Sequence, residues 1–188
     1  MTRLSELEKM LSGDIYDPSD EVLTMLRAEA REITARYNVT PRRDLAARTK
    51  LLAQLLGGIG GEIKIEPHFN CDYGQHIFVG NNFYMNFGCV ILDCAEVRIG
   101  DNCFIGPQVG IYTACHPLDP IERNKGIEFA KPITIGDSCW IGGHATINPG
   151  VRLGDNVVVG SGAVVTKNFP DNVVVAGNPA RVIKALTT

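Results

Sequence analysis

The chain has no apolar run long enough to span a bilayer. Its first residues, MTRLSELEKMLSGD, also lack the apolar stretch and small-residue cleavage site of a secretory signal. A membrane class is set aside, and the cytoplasm is the expected location. A basic excess is missing too: 18 lysines and arginines against 21 acidic residues leave a net charge of −3, with no basic stripe along most of the chain. Direct binding of DNA or RNA, which ordinarily draws on such a stripe, is not expected. There is no CxxC pair, and the chain is neither short nor secreted-looking. The six cysteines (Cys71, Cys89, Cys94, Cys103, Cys115 and Cys139) are therefore read as reduced, most of them as packing residues.

What is present is a composition ordinary for a soluble globular protein, with 45% hydrophobic and 21% charged residues. The 188 residues suit one compact domain with a small helical appendage. Up to about Gly60 apolar residues recur at three- and four-residue steps (Val22, Leu26, Ile33, Tyr37, then Leu45, Leu52, Leu56), the period of amphipathic helices. Ser19 is the expected N-cap of the first long helix, Pro41 marks the approach to the next, and Gly57-Gly58 is a stop signal. A shorter helix is expected over Leu4 to Leu11. Residues 1–60 thus form an N-terminal helical segment, whose stripes ordinarily mean packing rather than chemistry.

From Ile65 the period becomes six. Aliphatic or similar residues open successive units at 79, 85, 91, then 99, 105, 111, then 135, 141, 147, 153, 159 and 165, often with Gly next. A chain that turns a corner every six residues makes triangular coils of eighteen that stack as parallel sheets. Residues 61–188 are accordingly an all-β solenoid, a parallel β-helix, interrupted by a loop at about 112–132. Each opener faces inward with the residue two before it, a second inward column made of Phe83, Cys89, Cys103, Val109, Cys139, Ala145, Val151, Val157 and Ala163. Gly, Asn and Asp at the corners suit positive φ and tight bends, so they are read neither as a calcium site nor as a phosphate loop.

A long loop in a tight solenoid is more often functional than decorative, and this one, TACHPLDPIERNKGIEFAKP, contains His116. An imidazole that titrates near neutrality can take a proton from a hydroxyl as that oxygen attacks a carbonyl. Trp140, the single tryptophan, precedes the inward Ile141 and should turn outward as a contact surface. Adjacent residues of an extended segment point apart, which argues against a Cys115–His116 dyad. His68, His76 and His144 read as surface or packing groups.

The repeat array, the loop Thr113-Ala114-Cys115-His116-Pro117 and the ending VVVAGNPARVIK together resemble the maltose and galactoside acetyltransferases. CDYG at 71–74, NNFYMNF at 81–87, KPITIGDSCWIGG at 131–143, INPGV at 147–151 and SGAVVTK at 161–167 are similar to that family's motifs, so the resemblance covers nearly the whole chain. It implies a left-handed coil, a homotrimer with active sites between subunits, and direct transfer of an acetyl group from acetyl-coenzyme A to a hydroxyl, without a metal. His116 would be the general base. Asp72, Asn86 and Asp93, with Asp17 more loosely placed, would face the acceptor, and Glu128 from the His116 loop would line the same pocket. Asn86 and Asp93 stand outside the inward columns, where a carboxylate is ordinarily solvated. Trp140 would lie beside the acyl-transfer site, and Gly143, Ser161, Thr166, Lys167, Arg181 and Lys184 would hold the donor; the last is Lys where the galactoside enzymes have Arg. The resemblance is nearest the maltose/glucose type, while relatives on the same scaffold use galactosides, chito-oligosaccharides, serine or antibiotics. Two alternatives from other classes are a zinc solenoid of the γ-carbonic anhydrase kind, for which the four histidines show no obvious coil-compatible triplet, and a non-catalytic scaffold.

Overall fold

The computed structural model describes residues 4–187. Three helices come first. Helix α1 (Glu6–Ser12) opens with a capping box between Ser5 and Glu8 and ends at Gly13, whose φ of 82° only glycine adopts without strain. Helix α2 (Glu21–Val39) is capped by Asp20, which accepts the N–H groups of Val22 and Leu23. The cap is thus one residue later than the Ser19 expected from sequence, because Ser19 is bound to the Asp17 carboxylate instead. Helix α3 (Leu45–Leu55) starts at an Asp44 cap, with Pro41 in the preceding turn. No helix among the described residues is long and apolar enough to cross a membrane.

The rest is the solenoid, whose short strands fall in turn on three parallel sheets. The first sheet stacks Gly58–Ile59, Ile77–Val79, Val97–Ile99, Ile133–Ile135 and Arg152–Leu153. The second stacks Ile63–Ile65, Phe83–Met85, Phe104–Ile105, Trp140–Ile141, Val158–Val159 and Val173–Ala176, and closes with Arg181–Ala185 running antiparallel. The third stacks Asn70–Cys71, Val90–Leu92, Gly110–Tyr112, Thr146–Ile147 and Val164–Val165. Register carries the openers into columns: Ile65, Met85, Ile105, Ile141 and Val159 lie directly over one another on the second sheet. All twelve openers and all nine residues of the second inward column are buried, which bears out the period-six reading. Deleting one such side chain, as in Ile141→Ala, costs about 2–5 kcal/mol because neighbouring coils fix the cavity left behind.

Two details differ from the sequence reading in their physical cause. The glycines that follow the openers are needed for close approach of coils rather than for positive φ: a Cβ on Gly106 would stand 2.5 Å from the Gly143 nitrogen, and one on Gly142 2.6 Å from the Ser161 nitrogen. Positive φ falls instead on neighbours such as Asn82, Asn102 and Asn156. The column cysteines also do more than fill space. The thiols of Cys89, Cys103 and Cys139 donate to the carbonyls of Gly106, Gly136 and Gly154 in the next coil at 3.1–3.2 Å.

At the corner from the first sheet to the second, an acid ladder ties coil to coil. The N–H groups of Asn81, Asp101, Asp137 and Asp155 each donate to the carboxylate of Asp101, Asp137, Asp155 and Asp171 respectively, at 2.8 Å every time. The helices pack on the first coils. Arg48, 7% exposed, is compensated by the carbonyls of Tyr37, Thr40 and Ile65, so the C-terminal end of α2 and the first coil share one buried cation. A second, smaller core joins Met10, Tyr16 and Leu23 of the helical segment to Tyr73, Cys94, Ala95 and Ala130 of the solenoid. That core lies along the corner from the third sheet to the first.

Candidate functional site

Three successive coils turn from the third sheet to the first at Asp72, Asp93 and Thr113, each directly after its strand. Asp93 is wholly buried, contrary to the solvated position expected for it. One of its carboxylate oxygens accepts the N–H groups of Asp72 and Tyr73 at 3.1 and 2.9 Å, and the other accepts that of His76 at 3.3 Å. His76 returns a ring contact to the Asp93 carbonyl at 2.7 Å, and Thr113 bridges the next coil by donating to Leu92 and accepting from Ala95. Burial raises the Asp93 carboxyl above the usual carboxylate range, an effect the backbone donors oppose. Asp93 therefore shapes the corner from inside, while Asp72 in the same corner is half-buried, with its carboxylate against the Cys94 thiol.

The long insertion leaves from this corner and is more ordered than a plain loop. Ala114–Cys115 pairs antiparallel with Phe129–Ala130, and helix α4 (Pro120–Arg123), capped by Asp119, forms its tip. The register sets Cys115 against Phe129, so His116 and Glu128, the next residues outward, face one another. Their side chains approach to 3.8 Å between Nε2 and Oε1. The other Glu128 oxygen accepts the Tyr16 hydroxyl at 2.6 Å, and Tyr16 and Glu128 also exchange backbone N–H to carbonyl bonds at 2.9 and 3.1 Å. Beside them Cys94 donates to Asp72 at 3.6 Å, its thiol pushed up to about 12 chiefly by burial. Burial also raises Asp72, against the pull of Cys94, Arg27 and Arg31. Cys115 is likewise raised by burial, which keeps it protonated and fits the reading that it is not the nucleophile.

His116, Glu128 and Asp72 are thus gathered on one corner. Asp17, although next to Tyr16 in sequence, is exposed, and its carboxylate is taken up by the Ser19 N–H and hydroxyl. Tyr16, Arg27 and Arg31 were not singled out from sequence, and Cys94 was read there only among the reduced cysteines. Tyr16, Arg27 and Arg31 enter the cluster through packing of the helical segment on the solenoid, which no local pattern encodes, whereas Cys94 reaches Asp72 through the stacking of adjacent coils.

A second feature runs along a different corner, from the second sheet to the third. Tyr84, Asn86, Phe104, Gly106, Pro107, Trp140, Gly142, Gly143 and Ser161 line an open groove. Its floor is backbone, since Gly106 and Gly142 have no room for a side chain. Its wall is apolar, and Trp140 is 57% exposed, turned outward as its place before Ile141 requires. Parallel register aligns Tyr84, Phe104, Trp140, Val158 and Val174 in one row, and the antiparallel edge strand adds Lys184 opposite Val174, so the apolar wall ends at a cation. Asn86 belongs to this groove rather than to the Asp72 corner, and its carboxamide oxygen accepts the Phe87 N–H. Arg181 lies on the same edge strand. Thr166 and Lys167 follow Val165 of the third sheet, away from the groove, with the Lys167 ammonium over the Phe169 ring. Among the described residues no three of His, Cys, Asp and Glu stand together as metal ligands.

Comparison with known proteins gives concordant matches. The family described as maltose acetyltransferase hexapeptide capping motif matches residues 9–60, and hexapeptide repeat of succinyl-transferase matches residues 96–112 and 132–167. Galactoside O-acetyltransferase of Escherichia coli K12 is 37% identical, over 95% of this chain and 88% of that protein. The crystal structure of a maltose O-acetyltransferase from Clostridium difficile 630 superposes with a TM-score of 0.97 at 46% identity, covering 100% of both chains. A galactoside acetyltransferase in complex with coenzyme A superposes with a TM-score of 0.95 at 36% identity, over 98% of this chain and 92% of the other.

Proposed function

The chain belongs to the hexapeptide-repeat family of maltose and galactoside O-acetyltransferases, and from that premise we propose that it moves an acetyl group from acetyl-coenzyme A to a sugar hydroxyl, with His116 as general base. The observation that carries the reading is the pairing of His116 with Glu128 at 3.8 Å beside the Asp72 carboxylate. In the proposed step the imidazole takes the proton of the acceptor hydroxyl while that oxygen bonds to the thioester carbonyl carbon. The carbon–sulfur bond then breaks, and the proton passes from the imidazolium to the departing thiolate. Glu128 stabilises the transient imidazolium, and Asp72 accepts a hydrogen bond from a second hydroxyl, which a sugar supplies. Maltose or glucose is the proposed acceptor type.

The groove suits the donor. Backbone polar groups over the glycine floor meet the amides of a pantetheine arm, Trp140 and Phe104 cover its apolar stretches, and Lys184 and Arg181 offer charge for phosphates. Gly143 and Ser161 border it directly, and Thr166 and Lys167 serve from the neighbouring corner. Acceptor corner and donor groove lie on different corners of one solenoid, with the third sheet between them. This favours a site completed between copies of the chain, and the exposed Leu118 and Ile121 at the tip of the insertion favour the same. A homotrimer is the assembly proposed.

The test is release of free thiol from acetyl-coenzyme A in the presence of glucose, maltose, galactosides, chito-oligosaccharides and serine. Sugar-dependent release supports the reading, and the preferred sugar identifies the acceptor. No release with any of them, together with no binding of coenzyme A, overturns it.

A further inference from the structure

We infer that Tyr16 is a positioning residue for the His116 base, acting through Glu128, so that the helical segment takes part in the reaction as well as capping the solenoid. The inference rests on the proposed role of His116. Glu128 has two oxygens with two different tasks: Oε2 receives the Tyr16 hydroxyl at 2.6 Å, and Oε1 faces His116 Nε2 at 3.8 Å. A glutamate side chain that is 20% exposed ordinarily samples several rotamers, and holding it in one costs conformational entropy at each turnover unless the fold has already fixed it.

Here the fold has done so from both sides. The Tyr16 and Glu128 backbones form an antiparallel bridge, the Cys115–Phe129 pairing sets the neighbouring His116, and the hydroxyl bond fixes the carboxylate itself. Tyr16 is 1% exposed among Met10, Leu23, Tyr73, Cys94 and Ala130, so its ring has no alternative position to take up. Its single O–H proton goes to Glu128, while the neighbouring Cys94 thiol goes to Asp72. Burial and the adjacent carboxylate raise the phenol well above its ordinary range, so it remains a donor at any working pH.

Tyr16→Phe keeps the ring and removes the tether. With the Glu128 carboxylate no longer fixed, we expect kcat to fall about tenfold, with the KM for acetyl-coenzyme A unchanged within about twofold. The readout specific to positioning is the double variant: in a Glu128→Ala background, where no carboxylate remains to be held, Tyr16→Phe should leave kcat unchanged. Loss of kcat by the same factor in both backgrounds, or a fall in kcat matched by a fall in melting temperature in both, would mean a structural role only and overturn the inference. Normal kcat in Tyr16→Phe would do the same. His116→Ala, assayed alongside, separates the two readings: if it retains turnover the base assignment fails, whereas an inactive His116→Ala with a normal Tyr16→Phe sinks only the role of Tyr16.

Discussion

The wholly buried Asp93 carboxylate receives the backbone N–H of Asp72 at 3.1 Å, so one acid, out of reach of solvent, holds in place the turn that presents the other. Asp93 also accepts from Tyr73 and His76. Replacing it with Ala leaves three N–H groups without this acceptor inside the corner, and the expected loss is about 3 kcal/mol or more, read by denaturant unfolding. The same variant should raise the KM for sugar, because the turn carrying Asp72 loosens. Stability within about 0.5 kcal/mol of wild type would contradict this account of the corner.

Asp72 carries a different signature. Burial raises its folded carboxyl above the unfolded value, so its ionised form costs stability at neutral pH. That cost is complete above the folded pKa, shrinks as pH falls through it, and is gone below the unfolded value. Asp72→Asn should therefore melt at a higher temperature than wild type at pH 7, with the difference disappearing in acid, while the KM for sugar rises about tenfold from loss of a charge-assisted bond. A variant less stable than wild type at pH 7 would refute the burial argument.

Gly142→Ala tests the groove floor. The added Cβ would meet the Ser161 nitrogen at 2.6 Å and the Val159 carbonyl at 2.7 Å, both backbone, so adjacent coils must separate. Expected are a loss of about 1–3 kcal/mol and weaker binding of coenzyme A by calorimetry, with sugar binding retained.

The inward columns from Val79 to Val165 were legible because a period of six leaves one arrangement of openers, and burial of every one follows from it. His116, Glu128, Asp72 and Trp140 were legible as residue types in recognisable segments, and three of them do meet at one corner. What was not legible depends on contacts between distant segments. Asp93 stands outside the columns and reads as solvated until the turn of the preceding coil is seen to fold over it. Tyr16 looks like one more apolar residue of a helical segment, and its hydroxyl finds Glu128 112 residues away. The corner glycines misled in cause only, since close approach of coils and positive φ demand the same residue.

Trp140→Ala should raise the KM for acetyl-coenzyme A about tenfold through loss of the apolar wall, while kcat at saturating donor stays within about threefold. An unchanged KM for the donor, with altered KM for sugar, would move Trp140 to the acceptor side.

The most direct measurement is turnover of His116→Ala beside wild type, followed as thiol release from acetyl-coenzyme A with the preferred sugar. The account predicts a folded variant that binds coenzyme A normally and turns over about two to four orders of magnitude more slowly, the span typical of a general base. Turnover near the wild-type rate would contradict it.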